Sequence, residues 1–479
     1  MDLKKTAVSS ILWSLWQQIS LKMVSFCVTI YISRLLDPAE FGLIAMLSIF
    51  VAIGNSLVDS GLTSSLIRTS QATDKELSTV FYFNLAGSIV LYIMLFLAAP
   101  LIASFYNQPI LVPVARVYGL IFISNGFFGI QNTLLTKEMN FRKQTNIQIP
   151  ASVFGGIIGI WMAEEGYGVW SIVAMYLCNS FLSTALHWIY SSWRPTLVFD
   201  KAAFKNHFNF GYKITASGLL DTAYQNLYLI IIGKFFSASQ LGLYSRADSI
   251  SQLPISNIST AINKATYPLF AQVSQNAAQL KVMYKKLMQQ VMFWNAPALV
   301  LLALIAAPLF DLLLSTKWMA AVPYFKLLCI SGVMYPLHSY NLNVLKVMGQ
   351  PALFLKIETV KKIISITGVF LSISYGIYGL LYFQLFFNLI SYYLNSFYTG
   401  RLIAYPVKEQ LADIMPIIIT TTLCGLLCNW LTVRLFAHID SSIMQISITI
   451  IMFIVFYGGA NFLSKSTALN DFNQLILKR

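Results

Sequence analysis

The sequence predicts an all-α polytopic membrane protein of fourteen transmembrane helices, two pseudo-symmetric six-helix lobes around a central cavity plus two C-terminal helices. Three observations predict it. The 479 residues are 57% hydrophobic and 10% charged, with a mean hydropathy of +0.68. So few charges could not screen that much apolar surface from water, whereas a bilayer demands no screening. Apolar runs of ~20 residues, the length that crosses hydrocarbon, recur between short polar joints. Lysine and arginine collect at every second joint.

The runs fall at residues 10–33, 41–66, 78–104, 112–136, 146–165 and 167–190. After a basic linker they resume at 210–233, 241–269, 288–313, 321–345, 353–375 and 377–400, then 411–434 and 441–463. MDLKK before the first run lacks a small-residue cleavage site, so the first run reads as a retained signal anchor. With both termini placed in the cytoplasm, 23 of the 32 Lys and Arg residues fall in cytoplasmic segments. Only Arg34, Lys234, Lys317 and Arg434 lie in outer joints, while Lys22, Arg116, Arg246, Lys264 and Lys326 sit within spans. Missing or adding one helix would scramble this alternation. The same rule accounts for the net charge of +14 without invoking nucleic acid.

An internal repeat organises the spans. Shifted by 200 residues, RLLDPAEFGL (34–43) falls on KFFSASQLGL (234–243): a cation, two large apolar residues, a turn and Gly-Leu. At a shift of about 211, GYGVW (166–170) meets GIYGLL (376–381). Six helices per unit is an even number, so both copies run in the same direction, with a site expected at their interface. The predicted organisation is an N-lobe over 1–190, a cytoplasmic linker over 191–209, a C-lobe over 210–400, and helices thirteen and fourteen with a tail over 401–479.

Four spans are too polar to face lipid all round. Lys22 falls near the middle of the first, where a lysine costs about 2.5–3.5 kcal/mol on insertion scales unless it faces protein or water. Ser14, Gln18, Lys22, Ser25 and Thr29 form a stripe there. The second span carries Ser56, Asp59 and Thr63 with Asn55 beside them, and the seventh carries Thr222 and Gln225 flanked by Asp221. The eighth has Ser249, Gln252, Ser256, Ser259 and Asn263 at steps of three and four. Any one serine reads first as helix–helix glue, worth under ~1 kcal/mol. Four symmetry-related stripes with embedded charges point instead to a wet cavity. The candidate substrate-binding residues are Lys22, Lys264, Arg246, Gln18, Asn55, Asp59, Asp221, Gln225, Gln252 and Asn263; a structural Lys22–Asp221 pair is the alternative use of those two charges.

Other features are blander. Arg246 and Asp248 suit an interfacial pair, Arg116 and Lys326 suit snorkelling, and His187 and His338 suit packing. Gly155 and Gly159 mark close helix packing, and Pro150, Pro254, Pro297 and Pro416 are tolerated kinks. The five cysteines lie in spans without CxxC or histidine company, so neither disulfide nor zinc is indicated. No nucleotide-binding or catalytic motif occurs.

RLLDPAEFG (34–42) after the opening helix, KEMNFRK (137–143) after the fourth span and GYGVW opening the sixth together resemble the polysaccharide-transport branch of the multidrug/oligosaccharidyl-lipid/polysaccharide exporter superfamily. Within it the chain resembles the Wzx-type O-antigen, colanic acid and teichuronic acid flippases, over essentially its whole length. The resemblance implies a non-enzymatic flippase that moves undecaprenyl-pyrophosphate-linked oligosaccharide repeat units across the bacterial cytoplasmic membrane by alternating access, for lipopolysaccharide or capsular and exopolysaccharide biosynthesis. It implies no cofactor, leaves the coupling ion open between H+ and Na+, and suggests polysaccharide polymerase and glycosyltransferases as partners beside the lipid-linked oligosaccharide and membrane lipids. A pyrophosphate in a wet cavity suits Lys22 and Lys264, with Arg246 at the mouth. This cavity is less cationic than in the related peptidoglycan-precursor flippases. An ion-coupled multidrug or cation antiporter would carry an acid in the first helix, where this chain has lysine. A membrane polymerase or ligase would need a large outer loop, and the outer joints are about ten residues or shorter.

Overall fold

The structure, a computed structural model, describes residues 3–59, 61–69, 72–435, 439, 441–466, 468 and 469, with the side chains at 3–8, 11, 59, 213, 214, 258 and 261–265 outside the description. No strand occurs among the described residues. The chain divides into two compact units, Met1–Gly242 and Leu243–Arg479.

The first unit contains α1 (Leu3–Leu35), α2 (Pro38–Asp59), α3 (Leu62–Arg68), α4 (Asp74–Tyr106), α5 (Leu111–Tyr118), α6 (Leu120–Lys137), α7 (Phe141–Glu164), α8 (Val169–Tyr190), α9 (Lys201–Gln225), α10 (Leu227–Phe235) and the start of α11 (Ala238–Gln272). The second holds the rest of α11, then α12 (Ala277–Leu304), α13 (Ala306–Leu314), α14 (Val322–Gly332), α15 (Tyr335–Val347), α16 (Pro351–Ser372), α17 (Gly376–Leu402), α18 (Val407–Leu435) and α19 (Ser442–Leu463). Each expected span has its helix or helix pair.

Where the helices start later or earlier than the apolar pattern suggests, a polar cap decides it. The α9 helix begins nine residues ahead of the seventh apolar run, because Asp200 Oδ1 accepts from the N–H groups of Ala202 and Ala203. A reciprocal Thr73–Glu76 capping box opens α4. Gly61, at φ +64°, separates α2 from α3, and a Cβ there would lie 2.6 Å from Gly211 O.

Ten stretches of described residues are long and apolar enough to cross a membrane. One of them, Pro351–Leu402, contains both α16 and α17. The helices α1, α9, α10, α11 and the nine-residue α13 are not among the ten. For α1 and α11 the shortfall is chemical rather than geometric: they run 33 and 35 residues, and polar side chains replace apolar ones along them, whereas α10 is apolar but nine residues long.

Packing in the first unit rests on small residues. Gly155 and Gly159 of α7 lie against Met175 and Asn179 of α8, where added Cβ atoms would sit 2.6 and 2.7 Å from their nearest neighbours; Gly156 lies against Val28 of α1. Phe81, Trp188 and Trp193 make edge contacts where α4 meets the end of α8. The second unit has a larger core, with Phe270, Tyr284 and Tyr340 in mutual ring contact, Tyr405 against Tyr284, and all four fully or almost fully buried. Lys281–Glu409 and Lys285–Asp413, both at 2.8 Å, tie the start of α12 to the start of α18. Leu97, Leu101, Leu423 and Ile454 are among many large apolar side chains on the outside, the inverse of a water-soluble fold.

Candidate functional site

The two copies of the repeated joint meet inside the first unit. Both open a helix with the same local chemistry. The Asp37 N–H donates to Glu40 Oε2 at 2.7 Å; 200 residues on, the Ser237 N–H donates to Gln240 Oε1 at 3.2 Å while Gln240 N–H returns a bond to Ser237 Oγ at 3.2 Å. Four residues after each helix start stands a glycine. A Cβ on Gly42 would lie 1.8 Å from Ala238 O, and a Cβ on Gly242 would lie 1.7 Å from Pro38 O. The contact is reciprocal, each glycine admitting the first helical residue of the other copy.

The helices leading from this crossing carry the polar stripes. One face of α1 is taken by α7, through Gly156 on Val28 and through Gln17 Nε2 donating to Gln148 Oε1 at 2.9 Å. The stripe lies on another face, where Gln18 and Lys22 are exposed and Gln18 Nε2 donates to Ser14 Oγ at 3.4 Å. Asp221 and Gln225 are exposed on α9. Ser56 Oγ on α2 lies 3.6 Å from where a Gly218 Cβ would stand, so the stripes of α2 and α9 are neighbours. Asn55 is engaged differently: its Oδ1 accepts from Asn125 Nδ2 of α6 at 2.9 Å, and the network continues through Ser180, Ser124 and Thr184. The structure thus joins Asn55 to α6 and α8, partners that no pattern in the sequence marks. The side chain of Asp59 lies outside the described residues.

In the second unit Arg246 Cζ stands 5.8 Å above the Trp318 ring, and Gln252 Nε2 donates to Asp248 Oδ1 at 3.4 Å. Ser249 and Gln252 are exposed on α11, whereas the side chains of Asn263 and Lys264 fall outside the description.

Sequence reasoning missed one group. Lys361, counted with the cytoplasmic cations, is only 8% exposed and lies ten residues into α16, paired with Glu358. His338 of α15 is near it, with Nδ1 3.5 Å from Asn395 Nδ2 of α17 and a buried Nε2 that has no hydrogen-bond partner. The signal was available: Glu358, Lys361 and Ser365 follow at steps of three and four, the spacing that marked the other stripes.

These groups can offer amides, hydroxyls and a few charges to a polar ligand, and they include no cluster of metal-binding side chains among the described residues. The family described as polysaccharide biosynthesis protein matches residues 31–323. The lipopolysaccharide biosynthesis protein WzxC of Escherichia coli K12 is 25% identical over 70% of this chain and 68% of its own. The teichuronic acid biosynthesis protein TuaB of Bacillus subtilis 168 is 26% identical over 74% of each. Among solved structures, the lipid II flippase MurJ in an inward closed conformation superposes with a TM-score of 0.73 over 94% of this chain and 99% of its own, at 13% identity, a likeness of fold.

Proposed function

This chain belongs to the polysaccharide biosynthesis protein family, and from that premise we propose that it flips undecaprenyl-pyrophosphate-linked oligosaccharide repeat units across a bacterial cytoplasmic membrane by alternating access. The relatives named for lipopolysaccharide and teichuronic acid biosynthesis support that cargo. The ten apolar stretches, with Pro351–Leu402 taken as two, and the three polar crossings by α1, α9–α10 and α11 make fourteen spans. We read them as two six-helix lobes over 1–190 and 210–400 and a C-terminal pair, with both termini cytoplasmic and the polar faces lining the cavity.

One observation carries the reading: α1, α9 and α11, which fall short as lipid-facing segments, each carry a striped polar face, and Lys22 is exposed at the middle of one of them; α2, striped as well, is apolar enough to cross. Gln18, Gln225 and Gln252 suit a glycan, Lys22 and Arg246 a pyrophosphate. An apolar cavity of about 510 Å³ in the second unit, with Val300, Leu304, Leu389 and Ile418 on its wall, suits the polyprenyl chain. The Glu358–Lys361–His338 group suits an ion-coupling role, with H+ or Na+ as the driving ion.

The test is Lys22→Ala in cells that depend on this protein for surface polysaccharide. We expect at least about tenfold less polysaccharide at an unchanged membrane level of protein, since one charge-assisted contact is worth about 1.5–3 kcal/mol. Wild-type polysaccharide would remove Lys22 from the cargo site. Restoration by Asp221→Ala in the same chain would make the two charges a structural pair.

A further inference from the structure

A cavity of about 630 Å³ opens in the second unit between the first half of α12, the start of α18 and the end of α19. Among the described residues, Lys285, Lys286 and Lys465 stand on its wall against a single carboxylate, Asp413. That carboxylate is engaged by the protein itself: Oδ1 takes Lys285 Nζ at 2.8 Å, and Oδ2 accepts from the Tyr405 hydroxyl. The described lining is therefore net cationic. Gln289, Thr420 and Ser464 add amide and hydroxyl groups. Pro416 has no N–H, so the Ala412 carbonyl on the same wall lacks its helical donor and is left to accept from a ligand hydroxyl.

Polarity is graded along the helices. The lysines lie toward the helix ends that the charge alternation places on the cytoplasmic side. Ile417 lies on the same wall, and beyond it Leu423 and Leu427 of α18 and Ile451 and Ile454 of α19 are exposed. A soluble anion would use the lysines and leave that apolar surface bare. A lipid uses both.

We propose that the α12–α18–α19 cavity binds the phosphodiester headgroup of an anionic phospholipid of the inner leaflet, with its acyl chains along α18 and α19. Basic pockets between membrane helices on the cytoplasmic side hold such headgroups elsewhere. The site is separate from the cargo reading above and stands or falls without it.

The full chain is purified in detergent and examined by native mass spectrometry with phosphatidylglycerol and, in parallel, phosphatidylcholine. The variant Lys286→Gln/Lys465→Gln leaves the Lys285–Asp413 pair in place; Lys356→Gln/Lys408→Gln removes equal charge from exposed positions outside the cavity. We expect phosphatidylglycerol to be retained over phosphatidylcholine by the wild type and the control, and retained roughly thirtyfold less well by the cavity variant, the loss of two lysine–lipid attractions. Phosphatidylglycerol alone should also raise the thermal midpoint of the wild type, a readout independent of any variant. Equal retention by cavity variant and control, equal retention of the two lipids, or full displacement by millimolar inorganic phosphate would each overturn the proposal, the last by making this a soluble-anion site.

Discussion

His207 shows how much a single side chain can report. It lies ahead of the apolar run that begins at 210, its Nδ1 2.8 Å from Ser65 Oγ and its Nε2 3.8 Å from Glu76 Oε1. Burial lowers its pKa below the usual 6.5; the Glu76 carboxylate opposes the shift and Arg68 reinforces it. The folded state therefore prefers the neutral ring, and the unfolded chain takes up the proton first as pH falls. Its contribution is fully present above about 6.5 and is lost below that value. The thermal midpoint of the wild type should drop between pH 7.5 and pH 5.5, and His207→Asn should flatten that slope; equal slopes would remove His207 from the balance. Nothing in the sequence announced this cluster, because Ser65, Glu76 and His207 are far apart in the chain and only folding brings α3, α4 and α9 together. Lys361 was missed for a different reason: net charge at a joint was counted, and depth along α16 was not.

Between helices, the repeated joint was legible as a pattern and illegible as a contact. The match of RLLDPAEFGL to KFFSASQLGL marks two equivalent joints; the helices after them begin at Pro38 and Ala238, three residues ahead of the apolar runs at 41 and 241, and their caps are seen only in the structure. That Gly42 and Gly242 are the places where the two starts touch could not be read, since Gly-Leu serves equally as a flexible turn. The close approach makes a sharp prediction. Gly42→Ala places a methyl 1.8 Å from Ala238 O and Gly242→Ala places one 1.7 Å from Pro38 O, so backbone must move in either case. Overpacking of this kind costs about 1–3 kcal/mol. Both variants should lower the thermal midpoint and impair polysaccharide export, while Gly87→Ala, with open space around it, should do neither. Wild-type midpoints for both joint variants would show that the crossing relaxes freely. The polar stripes were likewise legible as faces, because a step of three and four residues fixes a face whatever the neighbour is. Which neighbour each face meets was not: Asn55 reaches Asn125 of α6, and no periodicity in α2 encodes that choice.

Across the whole molecule, two signals in the sequence disagree, and their disagreement locates the function. Hydropathy alone finds ten apolar stretches among the described residues, eleven crossings with Pro351–Leu402 taken as two, whereas the expected alternation of lysine and arginine puts α1, α9–α10 and α11 across as well. The cost of burying polar residues in lipid says those helices should stay out; the charge pattern says they are in. Both hold if the polar faces never meet lipid, which is what a wet cavity provides. The disputed crossings can be tested one at a time with a bulky, membrane-impermeant maleimide on intact cells. Lys205→Cys lies in the second turn of α9, ahead of its apolar run, Phe235→Cys ends α10 and Gln275→Cys follows α11, all at exposed positions, and Glu165→Cys marks the outer end of α7. The five natural cysteines lie within helices, so the unmodified chain sets the background. Glu165→Cys and Phe235→Cys should react from outside, and Lys205→Cys and Gln275→Cys only after the membrane is opened. If Phe235→Cys instead behaves as Lys205→Cys does, α9–α10 does not cross; the proposed cavity then loses the wall that carries Asp221 and Gln225, and the alternating-access reading loses the symmetry it rests on.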